Sequence, residues 1–357
     1  MCEMPGNASE NKKQDTSVMR DWKITENFSS VMAVSNVNNA IKKIFTTVSL
    51  KKKHGEKYHI LVAQDTAPFV REAFKSCAAS MQNIDVSFCD FSELRFVDRA
   101  IRHDTALVYG EFPAFKEFRS YDFSEMRRYL DGLGIYMAVG LVLSNFCAFY
   151  FENVKPDFLI QYSKGFFNLA NGIDNDEVIL MTGNKFNEFL SGFEDKKFDL
   201  TPFVSGNGIN KKLFMDFSKA AAGTLKIYKA LVALKTDFPG LTFAYPSDYE
   251  YDDYKIKRKL LKFNGNIIRI NGDEKSMAAL ECIIKQAWRG NNESVTAGGL
   301  KLRMIKNSAA EELMKFDFIS GSFFINCGAD ESGAASALIG SGIDECGELL
   351  EILRQKR

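Results

Sequence analysis

Apolar and polar positions recur along this chain with two different periods, and the switch between them marks out the elements. "YHILVAQD" (58–65), "IDVSFCDF" (84–91) and "DTALVYGEF" (104–112) are short, nearly continuous apolar runs bounded by polar residues, the pattern of strands buried on both faces. Between them lie two segments with apolar residues at helical spacing. "TAPFVREAFKSCAASM" opens with Thr66 or Asp65 as the expected N-cap and Pro68 in its first turn, and "SELRFVDRAIRH" has Ser92 near its start. Strands and helices alternating at this spacing predict three neighbouring strands of one mostly parallel sheet. Ahead of them, Val34, Val37, Ile41, Ile44, Phe45 and Val48 fall on one face of a helix. That apolar face, placed before the core, is expected to dock a partner or a second copy.

Further on, "YDFSEMRRYLDGLGIYMAVGLVLSNFCAFYFENV" reads as mainly helical. Residues 133–151 within it carry no charge, a run about as long as a bilayer span requires. Gly134, Gly140, Ser144 and Asn145 interrupt the run, and it leads directly into "ENVKPDFLIQY". The expectation is a buried helix, with room for a leading strand, and no integral membrane span. "KPDFLIQYSKGFFNLANGIDNDEVILM" (155–181) reads as two strands joined at Ser163-Lys164-Gly165, then a turn at Asn171-Gly172 and a third strand.

After the loop "TPFVSGNGINKK" a long helix ends at Pro239-Gly240. "LTFAYP" and "NIIRI" are predicted strands, "EKSMAALECIIKQAW" is a predicted helix, and a strand, a Gly/Ala-rich segment and a terminal helix close the chain. The resulting picture is α/β: mostly parallel sheet units with flanking helices, in two lobes. A disordered tail is expected over residues 1–22, an α/β domain over 23–204 with a hairpin at 158–180, and a second α/β domain over 205–357.

Composition narrows the function classes. The 46 basic residues balance 46 acidic ones, so no global field draws nucleic acid or an anionic membrane. A hydrophobic fraction of 46% is that of an ordinary globular protein. The 7 cysteines are scattered and form no C-x-x-C pair, which excludes a disulfide framework and a zinc site and suits a reducing cytoplasm. Met1 is followed by polar residues with no apolar segment, so no secretory signal is predicted.

Familiar catalytic devices are missing. His54, His59 and His103 have no metal-ligand spacing and read as structural; no P-loop, dinucleotide fingerprint, nucleophile elbow or zincin motif occurs. Asp174-Asn175-Asp176 and Asp252-Asp253 are close acidic pairs of the kind that hold Mg²⁺, but turn chemistry and solvated loop acids account for them. Cys327 reads as a buried structural thiol.

The order of parts nevertheless resembles the actin-like ATPase superfamily, in particular the actin-like platform proteins of type IV pilus and type II secretion assembly. The residues that carry the likeness are the apolar strand–helix–strand order of 58–112, the hairpin "PDFLIQYSKGFFNLANG" and the late segment "GADESGAASALIGSG". The resemblance implies a nucleotide, ATP with Mg²⁺, held by Asp65 and Thr66 after the first strand, by Ser163, Lys164 and Gly165 in the turn, and by Gly328, Asp330 and Glu331 in the late segment. The chain departs from that family where Asp65 lacks a following glycine and the turn lacks an aspartate. A plain turn at 163–165 is therefore preferred to a phosphate clasp.

With catalytic groups missing, the expectation is a non-catalytic assembly or scaffold protein on a degenerate nucleotide-binding fold, acting through a protein partner or self-association. The second expectation is a nucleotide-sugar-dependent glycosyltransferase or other nucleotide-dependent transferase, in which Glu331 would bind the donor.

Overall fold

The structure, a computed structural model, describes residues 28, 30–51, 56–115, 119–142, 144, 149–162 and 178–186. Beyond these it describes 204–205, 208–209, 239–245, 267–272, 294–297, 300–305, 323–329 and 335–340, with isolated positions between 222 and 261. The expected tail at 1–22, the tight turn at 163–165 and the acidic pairs at 174–176 and 252–253 lie outside the described residues.

Seven strands form the principal sheet: β1 (Ser30–Val34), β2 (Tyr58–Ala63), β3 (Ile84–Cys89), β4 (Thr105–Glu111), β5 (Tyr136–Leu141), β6 (Phe158–Tyr162) and β7 (Val178–Thr182). Their order is β1-β7-β6-β5-β4-β2-β3. β2 to β6 run parallel, β7 runs against β6, and β1 runs against β7, so six strands share one direction. The three runs between 58 and 112 are adjacent as predicted.

The helices α1 (Val37–Lys51), α2 (Pro68–Ser80), α3 (Leu94–Ala100), α4 (Phe123–Leu133) and α5 (Phe151–Val154) supply the outer layers. Alternation along each strand sorts the core into two. Tyr58, Ile60 and Val62 pack with Ile41, Phe45, Val70 and Phe74 of α1 and α2, whereas Leu61, Val108 and Val139 pack with Val97, Phe123, Met126 and Leu130 of α3 and α4. Val34, Val37, Ile41, Ile44, Phe45 and Val48 are all buried there. The α1 face expected to dock a partner is thus the inner layer of this domain's own core. β1, unannounced in the sequence reading, is what brings α1 back onto the sheet.

Within residues 133–151, where a buried helix with room for a leading strand was expected, Tyr136–Leu141 form a strand, and 143 and 145–148 lie outside the described residues. α4 ends at Gly134, whose φ of +67° is the left-handed conformation that glycine adopts freely. β5 follows as a central strand, flanked by β4 and β6 and buried from Met137 to Leu141. A strand covered on both faces loses the apolar–polar alternation that tells strand from helix, which is why the run mimicked a span. Among the described residues no helix is long and apolar enough to cross a membrane.

β6 pairs with β5 on one side and antiparallel with β7 on the other, and the strand expected after the turn at 163–165 lies outside the described residues. The second sheet has the order β10-β11-β15-β14-β13-β12, built from β10 (Leu241–Ala244), β11 (Ile267–Gly272), β12 (Ser294–Ala297), β13 (Leu300–Ile305), β14 (Phe323–Ala329) and β15 (Ala335–Gly340); β8 (Val204–Ser205) and β9 (Gly208–Ile209) pair separately. A bridge between Phe149 and Leu261, with Tyr150 N donating to Leu260 O (2.9 Å), ties the chain after residue 260 to the first core.

At the amino edge one carboxylate joins three strands and a helix. Asp157 Oδ2 accepts from Arg127 Nη1 of α4 (2.6 Å) and from Met137 N of β5 (2.8 Å). Its other oxygen pairs with Lys185 beyond β7. His59, also fully buried, shares hydrogens with Thr105 Oγ1 (2.8 Å) and Ser87 Oγ (2.7 Å), and burial, then Arg102, lowers its pKa, as a structural histidine requires. Removing the Asp157 charge leaves the buried Arg127 with the exposed Asp131 as its counter-charge, so Asp157→Asn is expected to lower unfolding free energy by up to about 3 kcal/mol in urea titrations. A change below about 0.5 kcal/mol would mean that the cluster contributes no net stability.

Candidate functional site

The strand order changes direction between β2 and β4: β3 follows on one side of β2, while β4, β5 and β6 follow on the other. Connections that diverge in this way leave a crevice outside the carboxyl ends of the strands. Here the crevice is bounded by Gln64–Ala67 after β2 and by Phe112-Pro113, a cis peptide, after β4. The two sides are bonded together. Glu111 Oε2 accepts from Ala67 N (2.9 Å), Phe115 N donates to Asp65 O (3.1 Å), and the Tyr121 hydroxyl donates to the Asp65 carboxylate.

The Glu111 bond explains how α2 begins. The expected cap, Thr66 or Asp65, does not cap it; Ala67 occupies the N-cap position without a side-chain bond, and Pro68 follows. A carboxyl group from β4 takes the Ala67 amide instead. Thr66 Oγ1, displaced from that duty, is buried with no hydrogen-bond partner among the described residues. Such an atom is uncommon in a folded interior and is open to a bond from a group outside the described residues.

Three buried polar side chains line the same face. Tyr109 Oη lies 3.3 Å from Glu111 Oε1 and 3.2 Å from Tyr162 Oη. α2 covers them through Phe74, whose ring centre is 4.7 Å from that of Tyr109, and Phe69, 5.5 Å from Tyr162. Desolvation raises the pKa of Glu111 well above the ordinary carboxyl range, against the lowering effect of the Ala67 amide. Gly140 makes the arrangement feasible: a Cβ there would sit 2.0 Å from Tyr109 Oη and 3.2 Å from Glu111 Cγ. Beside it, Gln161 Nε2 donates to Leu141 O (3.1 Å) and Ser144 O (3.2 Å), closing the end of β5 against β6.

α1 starts at the same edge. Val34 and Tyr162 both pair with Val178, so β1 and β6 end at one height, about 10 Å apart across β7. The first turn of α1 therefore presents its amides there, with Asn36 Oδ1 accepting from Asn39 N (2.9 Å).

Of the residues singled out from sequence, Asp65 and Thr66 stand in this crevice. Ser163, Lys164 and Gly165 lie outside the described residues, in the chain directly after Tyr162, as do Asp330 and Glu331. Gly328 is in β14 of the second sheet. Of the late Gly/Ala segment, Ala335–Gly340 form strand β15, paired on both sides with β11 and β14. Tyr109, Glu111, Gly140, Gln161 and Tyr162 were not singled out. A signal existed for one pair: Tyr109 and Glu111 are two apart in a strand, hence on one face, and a glutamate within so apolar a run implies a buried acid.

No family model matches the chain, and no curated protein matches it. Solved structures do. A cystathionine gamma-lyase from Lactobacillus plantarum, complexed with L-serine, is 13% identical with a TM-score of 0.65, covering 92% of this chain and 82% of its own. The metB protein of Corynebacterium glutamicum is 15% identical with a TM-score of 0.63, covering 92% and 81%. The fold is thus shared with these two proteins, and the actin-like resemblance is overturned. With it go the nucleotide-binding and scaffold readings; the glycosyltransferase reading gains no support either. Alternating strands and helices are common to these folds, whereas the strand order β1-β7-β6-β5-β4-β2-β3 is what separates them, and order is invisible in an apolar pattern.

A buried acid with a raised pKa has a stability signature. The folded state keeps its proton at a pH where the unfolded chain, with a glutamate pKa of about 4.3, has lost it, so Glu111 lowers stability as pH rises above that value, by up to ~1.4 kcal/mol per pH unit. Urea titrations of wild type and Glu111→Gln should diverge in this direction, the variant gaining relative stability with pH. Curves that stay parallel from about pH 5 to pH 8 would contradict a buried neutral acid.

Proposed function

We propose that this chain is a lyase that processes a small amino acid with pyridoxal phosphate at the carboxyl edge of its seven-stranded sheet. The single observation that carries the reading is the gathering, at that edge, of a helix N-terminus, two carboxyl groups and an orphaned hydroxyl, with Lys164 two residues beyond the end of β6. Lyases of the cystathionine gamma-lyase kind use this fold for that cofactor, and L-serine in one similar structure supports an amino-acid substrate.

The residues fit the group. A phosphate suits the amides of the first turn of α1, with Ser35 and Asn36 beside them. Thr66 Oγ1 lacks a partner among the described residues, and Asp65 is a carboxylate at the end of β2 beside the crevice. Lys164 is the amine assigned to the aldehyde carbon, and its Nζ is suited to carry a proton to or from the substrate α-carbon. When bound, the cofactor supplies an electron sink for a carbanion at that carbon. Phe69 and Phe74 of α2 keep water from the floor of the site. ATP and Mg²⁺ have no part in this reading, and a cytoplasmic enzyme is its corollary.

The test is reductive trapping. Purified chain incubated with pyridoxal phosphate, reduced with borohydride and digested is expected to carry the pyridoxyl group on one peptide, at Lys164. Lys164→Ala should lose both the label and the visible absorption of the bound cofactor. Label spread over many lysines, or an unchanged spectrum in Lys164→Ala, would refute the assignment.

A further inference from the structure

The buried trio behind the crevice is chemically unfinished if Glu111 is ionised. As a carboxylate it would hold one amide bond, from Ala67 N at 2.9 Å, and one long phenol bond at 3.3 Å, with a fully desolvated charge facing Asp65. The titratable groups acting on it are Asp65 at the end of β2 and Tyr109 of β4; α2 contributes the Ala67 amide, β5 contributes Gly140 and no charge, and none of these is a cation. Such a site disfavours the anion.

As a neutral acid the bonding closes in one direction. Oε2 is taken by the Ala67 amide, so the proton sits on Oε1 and is given to Tyr109 Oη. Tyr109 then gives its own hydrogen to Tyr162 Oη, 3.2 Å away. The Tyr162 hydroxyl is left as the free donor, on the last residue of β6. We infer that Glu111, Tyr109 and Tyr162 form a proton-holding chain whose donor end is the Tyr162 hydroxyl, serving the leaving group of the substrate. This rests on the proposed lyase reading for what receives the proton, but not for the chain itself.

The transfer balances without any redox partner. As the departing group takes hydrogen from Tyr162 Oη, the Tyr109 hydrogen moves to Tyr162 and the Glu111 hydrogen to Tyr109, leaving a Glu111 carboxylate that regains a proton from solvent through the same two hydroxyls in reverse once the product has left. Burial raises both phenol pKa values well above their ordinary value, so a free tyrosinate is costly and the movements are coupled. Gly140 is a positioning residue in this account, since any larger side chain displaces Tyr109 Oη.

The experiment uses the full chain without cofactor. Infrared difference spectra or carbon NMR of glutamate-labelled protein at neutral pH should show one protonated carboxyl signal, absent in Glu111→Gln. Tyr109→Phe should keep that signal but shift it, because the acid loses its acceptor; an ionised glutamate would show neither. Gly140→Ala gives a second route to the same displacement if Tyr109→Phe does not fold. All glutamates titrating in the ordinary range, or a protonated signal indifferent to both substitutions, would overturn the inference. Failure of Lys164 trapping with the carboxyl signal intact would remove the lyase reading alone.

Discussion

A sheet whose central strands are covered on both faces leaves no place inside it for an unpaired polar group, and that constraint organises the molecule. β2, β4, β5 and β6 are buried along almost their whole length. Each polar side chain among them is consequently either paired or pushed to a strand end. At the amino edge the result is the Asp157 cluster, which satisfies a carboxylate with a guanidinium, an ammonium and a strand amide. At the carboxyl edge it is the Glu111–Tyr109–Tyr162 trio, where no cation stands among the described partners and desolvation raises the Glu111 pKa instead.

The two edges thus divide the labour. The amino edge is closed by charge pairing and binds β5, β6, β7 and α4 into one unit. The carboxyl edge collects Thr66 Oγ1, without a partner among the described residues, the first turn of α1, and a buried acid of raised pKa backed by two phenols. An edge of that kind is suited to a small polar ligand, because the ligand completes bonds that the fold leaves open.

The legibility of the fold in the sequence followed burial. β2, β3 and β4, with α2 and α3 between them, could be read because turns and amphipathic helices punctuate them. β5 could not, since a central strand from Met137 to Leu141 is apolar at every position and abuts a helix stop at Gly134. β1 is five residues long and pairs with β7, almost 150 residues later in the chain, so nothing local announces it. β12 and β13 were missed although Gly298 and Gly299 separate them, a recognised two-residue hairpin signal. Of the site, Asp65 and Thr66 were found as polar residues ending an apolar strand. Glu111, Gly140 and Tyr162 meet only through sheet order, and no spacing along the chain encodes it.

The central claim is that the carboxyl edge receives pyridoxal phosphate and not a nucleotide. Thermal unfolding of the full chain with each ligand tests it most directly, because a ligand bound only by the folded state raises stability by RT ln(1 + [L]/Kd). Pyridoxal phosphate at about 100 times its Kd is expected to add ~2.7 kcal/mol and raise Tm, with Mg-ATP leaving it unchanged. A rise with Mg-ATP and none with pyridoxal phosphate would contradict the account.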